Sequence, residues 1–276
     1  MASIASLHVY PVKSCRGIDL ETARVTETGL EWDRRWMIVD ASGRFVTQRT
    51  HPQLATIATA IADGALRLSA AGHPRLVVDA EAGGPLHRVQ IWKDSCCGID
   101  AGDAAAAWLS RVLGDTLRLV RMDPTVPRLA DPHYAGPRPQ PVSFTDGYPV
   151  LLISRASLAE LNRRLPAPVP MNRFRPSVVI EGVAAHAEDS FADFRAGGVV
   201  LRGVKLCTRC ITTTTDQDDG SRDGSNEPLA TLRTYRYDRG LRGIIFGQNC
   251  IVAAGIGASI SAGDEIALDV GAPAPA

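Results

Sequence analysis

Lysine is almost missing from this chain of 276 residues: it occurs only at Lys13, Lys93 and Lys205, and the other basic side chains are arginine. Genomic base composition can produce that bias, so it carries little functional weight, but it makes each lysine worth placing. A surplus of either charge is missing too. Lys plus Arg and Asp plus Glu each number 30, and the formal net charge is zero, which argues against a nucleic-acid-binding footprint. No run of 18 apolar residues occurs, so no membrane-spanning helix is expected. Met1-Ala2-Ser3-Ile4-Ala5-Ser6 lacks the basic region and long apolar stretch of a secretory signal. These absences lead to the expectation of a soluble, cytoplasmic protein. Cysteine is sparse. The six thiols, at Cys15, Cys96, Cys97, Cys207, Cys210 and Cys250, are scattered and form no disulfide lattice, so most are expected free. No histidine lies beyond His186 and no second close Cys or His pair follows Cys207 and Cys210, so a four-ligand structural zinc site lacks partners.

What is present reads as globular: 45% hydrophobic and 22% charged residues, with length enough for one large or two ordinary domains. The first part is mostly β. Leu7 and Val9 alternate with polar neighbours until Pro11, and Trp36 to Asp40 with Arg44 to Thr47 reads as a hairpin around Ala41-Ser42-Gly43. Short strands fit 54–60, 65–69, 76–79 and 117–120. One helix is clear over 104–113, with Asp103 as cap and Gly114 beyond its end. The Pro-rich stretch 122–141 marks the best domain boundary. Beyond it, Ser154 or Ser157 can cap a helix carrying Leu158, Leu161 and Leu165. Strands fit 178–181, 199–206, 249–253 and 266–270, and Pro228 opens another helix.

The densest chemistry is Cys207-Thr208-Arg209-Cys210 followed by four threonines and Asp216. A lone C-x-x-C can be half a zinc site, a redox dithiol, a metal thiolate or packing. The β-branched run argues against the helix start a thioredoxin-like motif needs, and a single thiolate ligand with a supporting second cysteine is the favoured reading. Three upstream segments offer anion-binding groups: Lys13-Ser14-Cys15-Arg16-Gly17 after a strand, Asp33-Arg34-Arg35-Trp36 and Arg173-Phe174-Arg175-Pro176. Taken singly, each reads more readily as surface ion pairs.

Taken in order, these segments together with Glu227-Pro228-Leu229-Ala230-Thr231-Leu232 and Phe246-Gly247-Gln248-Asn249 resemble the MOSC proteins that carry an N-terminal β-barrel domain. That group includes the mitochondrial amidoxime-reducing components and bacterial relatives. The resemblance implies a mixed, mainly β fold with several helices. An N-terminal β-barrel-like domain (1–122) would pack on a C-terminal β-barrel MOSC domain (123–272), leaving a frayed tail at 273–276. It implies a molybdenum cofactor, a pterin dithiolene with a phosphate, lying between the domains. Cys210 would ligate the metal, and Lys13, Ser14, Arg34 and Arg175 would hold pterin and phosphate. Thr208 and Asn249 match further contacts. Gly147 and Tyr148 fall where the family has a contacting pair, with side chains unlike those of the animal members, so only backbone contacts carry over. Asp216, directly after the threonines, is the candidate for proton delivery.

The activity implied is reduction of N-hydroxylamines, amidoximes or hydroxylated purine bases. Electrons would come from a separate protein of ferredoxin, flavin reductase or cytochrome type. No iron–sulfur cluster, membrane anchor or nucleic-acid partner is expected. Two alternatives remain: a molybdenum cofactor carrier or sulfur-transfer module without turnover, and a thiol oxidoreductase cycling a Cys207–Cys210 disulfide.

Overall fold

The computed structural model describes residues 1–271, so the tail expected at 273–276 lies outside the described residues. The fold is mainly β with four α-helices among the described residues. Its spine is a large sheet. From one edge its strands run Ile18–Leu20, Ser3–Val9, Val178–Glu181, Val150–Ser154, Gly243–Ala254, Val199–Thr208, Phe191–Ala196 and Ile266–Val270, and Tyr237–Asp238 pairs beside the long Gly243–Ala254 strand. Most pairs are antiparallel; Val150–Ser154 and Val178–Glu181 run parallel, joined through the helix Arg155–Arg164, as a parallel crossover requires. Ile4, Leu7, Leu152, Phe194 and Leu201 bury one face in a common core.

The remaining strands build a smaller body. Trp36–Asp40, Leu117–Met122, Asp94–Asp100 and Leu86–Ile91 form one antiparallel sheet; Ala58–Ala62, Ala65–Ser69 and Leu76–Asp79 form another. Helix Asp103–Leu113 buries Trp108 and Leu109 against both in a second core with Trp36, Ile38 and Leu66. The N-terminal strand does not belong to this smaller body. Ser3–Val9 pairs with Val178–Glu181 and Ile18–Leu20, and Thr22–Thr26 pairs with Ser259–Ser261. The chain therefore starts in the large sheet, crosses to the smaller body near Pro11 and returns, so a division at residue 122 is crossed by its first strands.

Several local expectations are corrected. The strand expected at 54–60 is a 3-10 turn, Pro52–Thr56, followed by a strand from Ala58. Pro52 fixes the φ of the first turn position and favours that start. Asp103 does not cap its helix: Gly102 holds the cap position and Asp103 is the first helical residue, where its charge still suits the helix N-terminus. The threonine run does begin a short helical turn, Ile211–Thr214, with Cys210 at its N-cap. Ser154 caps as expected, its side chain accepting from the Ser157 N–H at 3.0 Å, and Gly114 closes helix Asp103–Leu113 in the left-handed conformation at φ 74°.

Candidate functional site

The three arginine- and lysine-bearing segments converge because of how the chain crosses between the two bodies. After Val9 the backbone turns at Pro11, and Val12 bridges to Trp36 in parallel. This sets Lys13-Ser14 beside Asp33-Arg34. Ser177, at the start of the next strand of the large sheet, accepts the backbone N–H of His8, which brings Arg175 to the same place. At all three points the backbone is strained: Ser14 has φ 70°, Arg34 φ 48° and Arg175 φ 55°. Non-glycine residues seldom occupy this region, and such outliers gather where side chains must be aimed.

Tyr10 is the hub. Its ring carries the Arg34 guanidinium at 4.3 Å and that of Arg175 at 4.1 Å, and its hydroxyl donates to the Pro176 carbonyl at 3.1 Å. Burial pushes the Tyr10 pKa up to about 12, so the phenol stays neutral and adds no counter-charge. Gly17 makes room for the ring, since a Cβ there would lie 2.6 Å from a Tyr10 ring carbon. Arg34 donates to Asp33 at 2.5 Å and to the Arg175 carbonyl at 3.2 Å. Arg175 donates to the Cys15 carbonyl at 2.8 Å and to Gln217 at 3.2 Å. Burial lowers the Arg175 pKa to about 10, and Arg34 pushes the same way. Lys13 is 5% exposed and donates to the Phe144 carbonyl at 2.9 Å and to Asp146 at 2.7 Å. Burial lowers its pKa, with Asp146 opposing. Burial would raise the Asp146 pKa, yet Lys13 holds that carboxyl well below the usual range, although its side chain remains 63% open to solvent.

The cysteine segment lines the same space. Arg49 donates to Cys210 Sγ at 3.0 Å, and Thr212 Oγ1 lies 3.5 Å from the same sulfur. Arg209 donates to Cys207 Sγ at 3.0 Å and to the Phe174 carbonyl at 2.6 Å. Both thiols are free. Both groups border one cavity of about 310 Å³. Lys13, Ser14, Arg34 and Arg175 line it together with Thr208, Cys210 and Asn249, and Gly147 and Tyr148 complete the expected set. Asp216 is not on the lining. One of its oxygens accepts from Arg173 at 2.7 Å and the other from the Asp218 N–H at 2.8 Å.

Sequence reasoning missed Arg49, Asp146 and Ser177, and assigned no role to Tyr10 or Arg209. Arg49 had a usable signal: Thr47-Gln48-Arg49-Thr50 is a polar run leaving an apolar hairpin, the same pattern that singled out Lys13-Ser14.

The charge on this cavity is unbalanced. Lys13, Arg34, Arg49, Arg175, Lys205 and Arg209 line it, and among the described residues only Asp146 opposes them on the lining. Thr145 Oγ1, the Tyr148 hydroxyl and Arg209 Nε are buried without hydrogen-bond partners, a state that costs about 1–3 kcal/mol per group. Clustered cations, orphaned polar groups and an adjacent soft sulfur donor suit a ligand that is anionic at one end and binds thiolate at the other.

A protein of two β bodies with a thiol- and cation-lined cleft between them is the class defined by fold and site. Residues 1–116 match the model of the MOSC N-terminal beta barrel domain, and residues 139–267 match the MOSC domain. The chain is 38% identical to mitochondrial amidoxime-reducing component 1 of Mus musculus, over 86% of this chain and 72% of that protein. It is 36% identical to component 1 of Homo sapiens, over 86% and 72%, and 34% identical to component 2 of Bos taurus, over 86% and 73%. The chain belongs to the family of MOSC proteins with an N-terminal β-barrel domain that includes the mitochondrial amidoxime-reducing components.

Proposed function

We propose that the protein is a molybdenum cofactor-dependent reductase of N-oxygenated compounds: N-hydroxylamines, amidoximes or hydroxylated bases. The observation that carries this reading is the surplus of cations over carboxylates on the lining of the one cavity that Cys210 also borders. The names of its relatives, which describe amidoxime reduction, support it. The net reaction is R–NH–OH plus two electrons and two protons, giving R–NH2 and water. When bound, the cofactor supplies the two-electron oxygen-atom-transfer chemistry.

The chain's own residues take the remaining tasks. Cys210 is proposed as the thiolate ligand of the metal, with the Arg49 N–H on its sulfur limiting how much charge the sulfur donates. Lys13, Ser14, Arg34 and Arg175 are proposed to hold the pterin and phosphate. Thr208, Asn249 and the backbone at Gly147 and Tyr148 would complete the seat. Cys207, tied to Arg209, supports the segment. Asp216 is proposed to hold the loop after the threonines, because both its oxygens are engaged there. Electrons are proposed to come from a separate donor protein.

The test is metal analysis of the chain expressed in a molybdenum-replete host, paired with benzamidoxime reduction by an artificial donor. Bound molybdenum and turnover are expected in the wild type, both lost in Cys210→Ser and both largely kept in Cys207→Ser. Full activity in Cys210→Ser sinks the assignment. Bound cofactor that passes to an apo-enzyme, without turnover of any N-hydroxy compound, would favour the carrier reading instead.

A further inference from the structure

A second, larger recess adjoins the Cys210 cavity. It holds about 1080 Å³, and Thr47, Arg49, Asp146, Gly147, Tyr148 and Lys205 line both spaces. The partition between them is thus a thin layer of side chains, and Arg49 is the one that touches the thiol.

On the wall of this groove stands Trp92, at the tip of the hairpin joining strand Leu86–Ile91 to strand Asp94–Asp100. Ile91 pairs with Asp94, so Trp92 and Lys93 form a two-residue turn. Trp92 takes its first position at φ 52°, a backbone state that normally calls for glycine, asparagine or aspartate in such turns. A bulky side chain there is strained, and the indole gains little burial in return, remaining 43% exposed. It is nevertheless held in place. Its Nε1 donates to Asp146 at 3.1 Å, the Arg49 guanidinium lies 4.3 Å from its centroid, and Phe45 packs against it at 5.0 Å. A strained, exposed and fixed indole whose neighbour Arg49 reaches Cys210 Sγ is built to be touched by something.

The charges of the groove indicate what kind of molecule. Its aspartates are matched by as many lysines and arginines. Arg128 and Asp94 pair within it at 2.8 Å. Unlike the Cys210 cavity, this space offers no net charge to an ion, and its aromatic wall favours a flat, conjugated molecule.

We propose that this groove is the substrate site and that Trp92 is its stacking platform, selecting uncharged, planar N-hydroxylated compounds such as aromatic amidoximes over small acyclic ones. The proposal rests on the reductase reading given above and adds where the substrate lies and which residue selects it.

Trp92→Gly separates recognition from folding, because glycine suits the turn and the variant is expected to melt no lower than the wild type. The specificity ratio, kcat/KM for benzamidoxime over that for acetamidoxime, should fall about tenfold in Trp92→Gly, the size expected from one aromatic contact, and recover in Trp92→Phe. Independently of turnover, benzamidoxime should quench the tryptophan emission of the wild-type chain, and Trp92→Phe should remove that quenching. An unchanged ratio in Trp92→Gly overturns the proposal, as does quenching that survives in Trp92→Phe or is missing in the wild type. A chain that shows Trp92-dependent quenching but reduces neither amidoxime keeps the aromatic site and loses the reductase reading.

Discussion

Which member of each charged pair turns inward is decided by backbone geometry at single residues. Arg34 and Arg175 adopt positive φ and meet over Tyr10, while Arg35 swings out to Glu81 at 2.7 Å and Arg173 to Asp216. The residues by themselves show two arginines at each place and do not rank them, and only the family resemblance picked Arg34 and Arg175, because the ranking comes from the crossing of two chain segments. Gly17 is the test of this hub. An added Cβ would lie 2.6 Å from the Tyr10 ring, and overpacking of that kind costs about 1–3 kcal/mol. Gly17→Ala should therefore melt several degrees lower. Pyrophosphate is expected to raise the melting temperature of the cofactor-free wild type, and Gly17→Ala should lose much of that rise, because Arg34 and Arg175 move with the ring. A Gly17→Ala chain with wild-type melting and an intact pyrophosphate response would show that the ring is not what aims the two guanidinium groups.

Among elements, the short turn Ala187–Ser190 ties two helices to the large sheet. Glu188 is fully buried, and its Oε1 accepts the Ser154 N–H at 3.0 Å and the Ser157 hydroxyl at 2.6 Å, at the start of helix Arg155–Arg164. Next to it Asp189 accepts from Arg236 at 2.5 Å, at the end of helix Leu229–Tyr235. Burial raises the Asp189 pKa to about 6, and the opposing Arg236 does not cancel it. The native state then holds this proton more tightly than the unfolded chain, whose carboxyl titrates near 3.8. The stabilisation is fully present below that value and is lost as pH rises through about 6, by at most about 3 kcal/mol. Asp189→Asn should flatten stability against pH between 4 and 6 in urea titrations; an unchanged slope would place the proton elsewhere. The helices joined here were legible, since Ser154, Leu161, Pro228 and Leu232 follow local rules of capping and periodicity. The turn between them was not. Its role rests on Glu188 reaching residues more than thirty positions earlier, and no local pattern encodes that.

At the scale of the whole molecule, the expected β-rich halves are present, but the first strand joins the sheet of the second half. The alternation of Leu7 and Val9 made a strand legible without saying whose sheet it would enter, because pairing partners are set by burial across 170 residues rather than by the strand itself. This exchange has a mechanical consequence. Leu7 is 0% exposed and packs in the core with Val150, Val178 and Phe194, whereas all four tryptophans, Trp32, Trp36, Trp92 and Trp108, lie in the first half of the chain. Tryptophan emission therefore reports on one body and Leu7 on the other. Leu7→Ala should cost about 2–5 kcal/mol. If the crossing strands and the residues around the cavity couple the two bodies into one cooperative unit, the denaturant midpoint read from tryptophan emission will drop by the full amount seen by far-UV circular dichroism. If the bodies unfold separately, the emission transition will stay where it is while the dichroism splits into two steps. The first outcome is expected, because Lys13, Arg34 and Arg175 reach the cavity only when both bodies are folded and joined, and a site divided between independently melting halves would lose its charge cluster whenever either half opened.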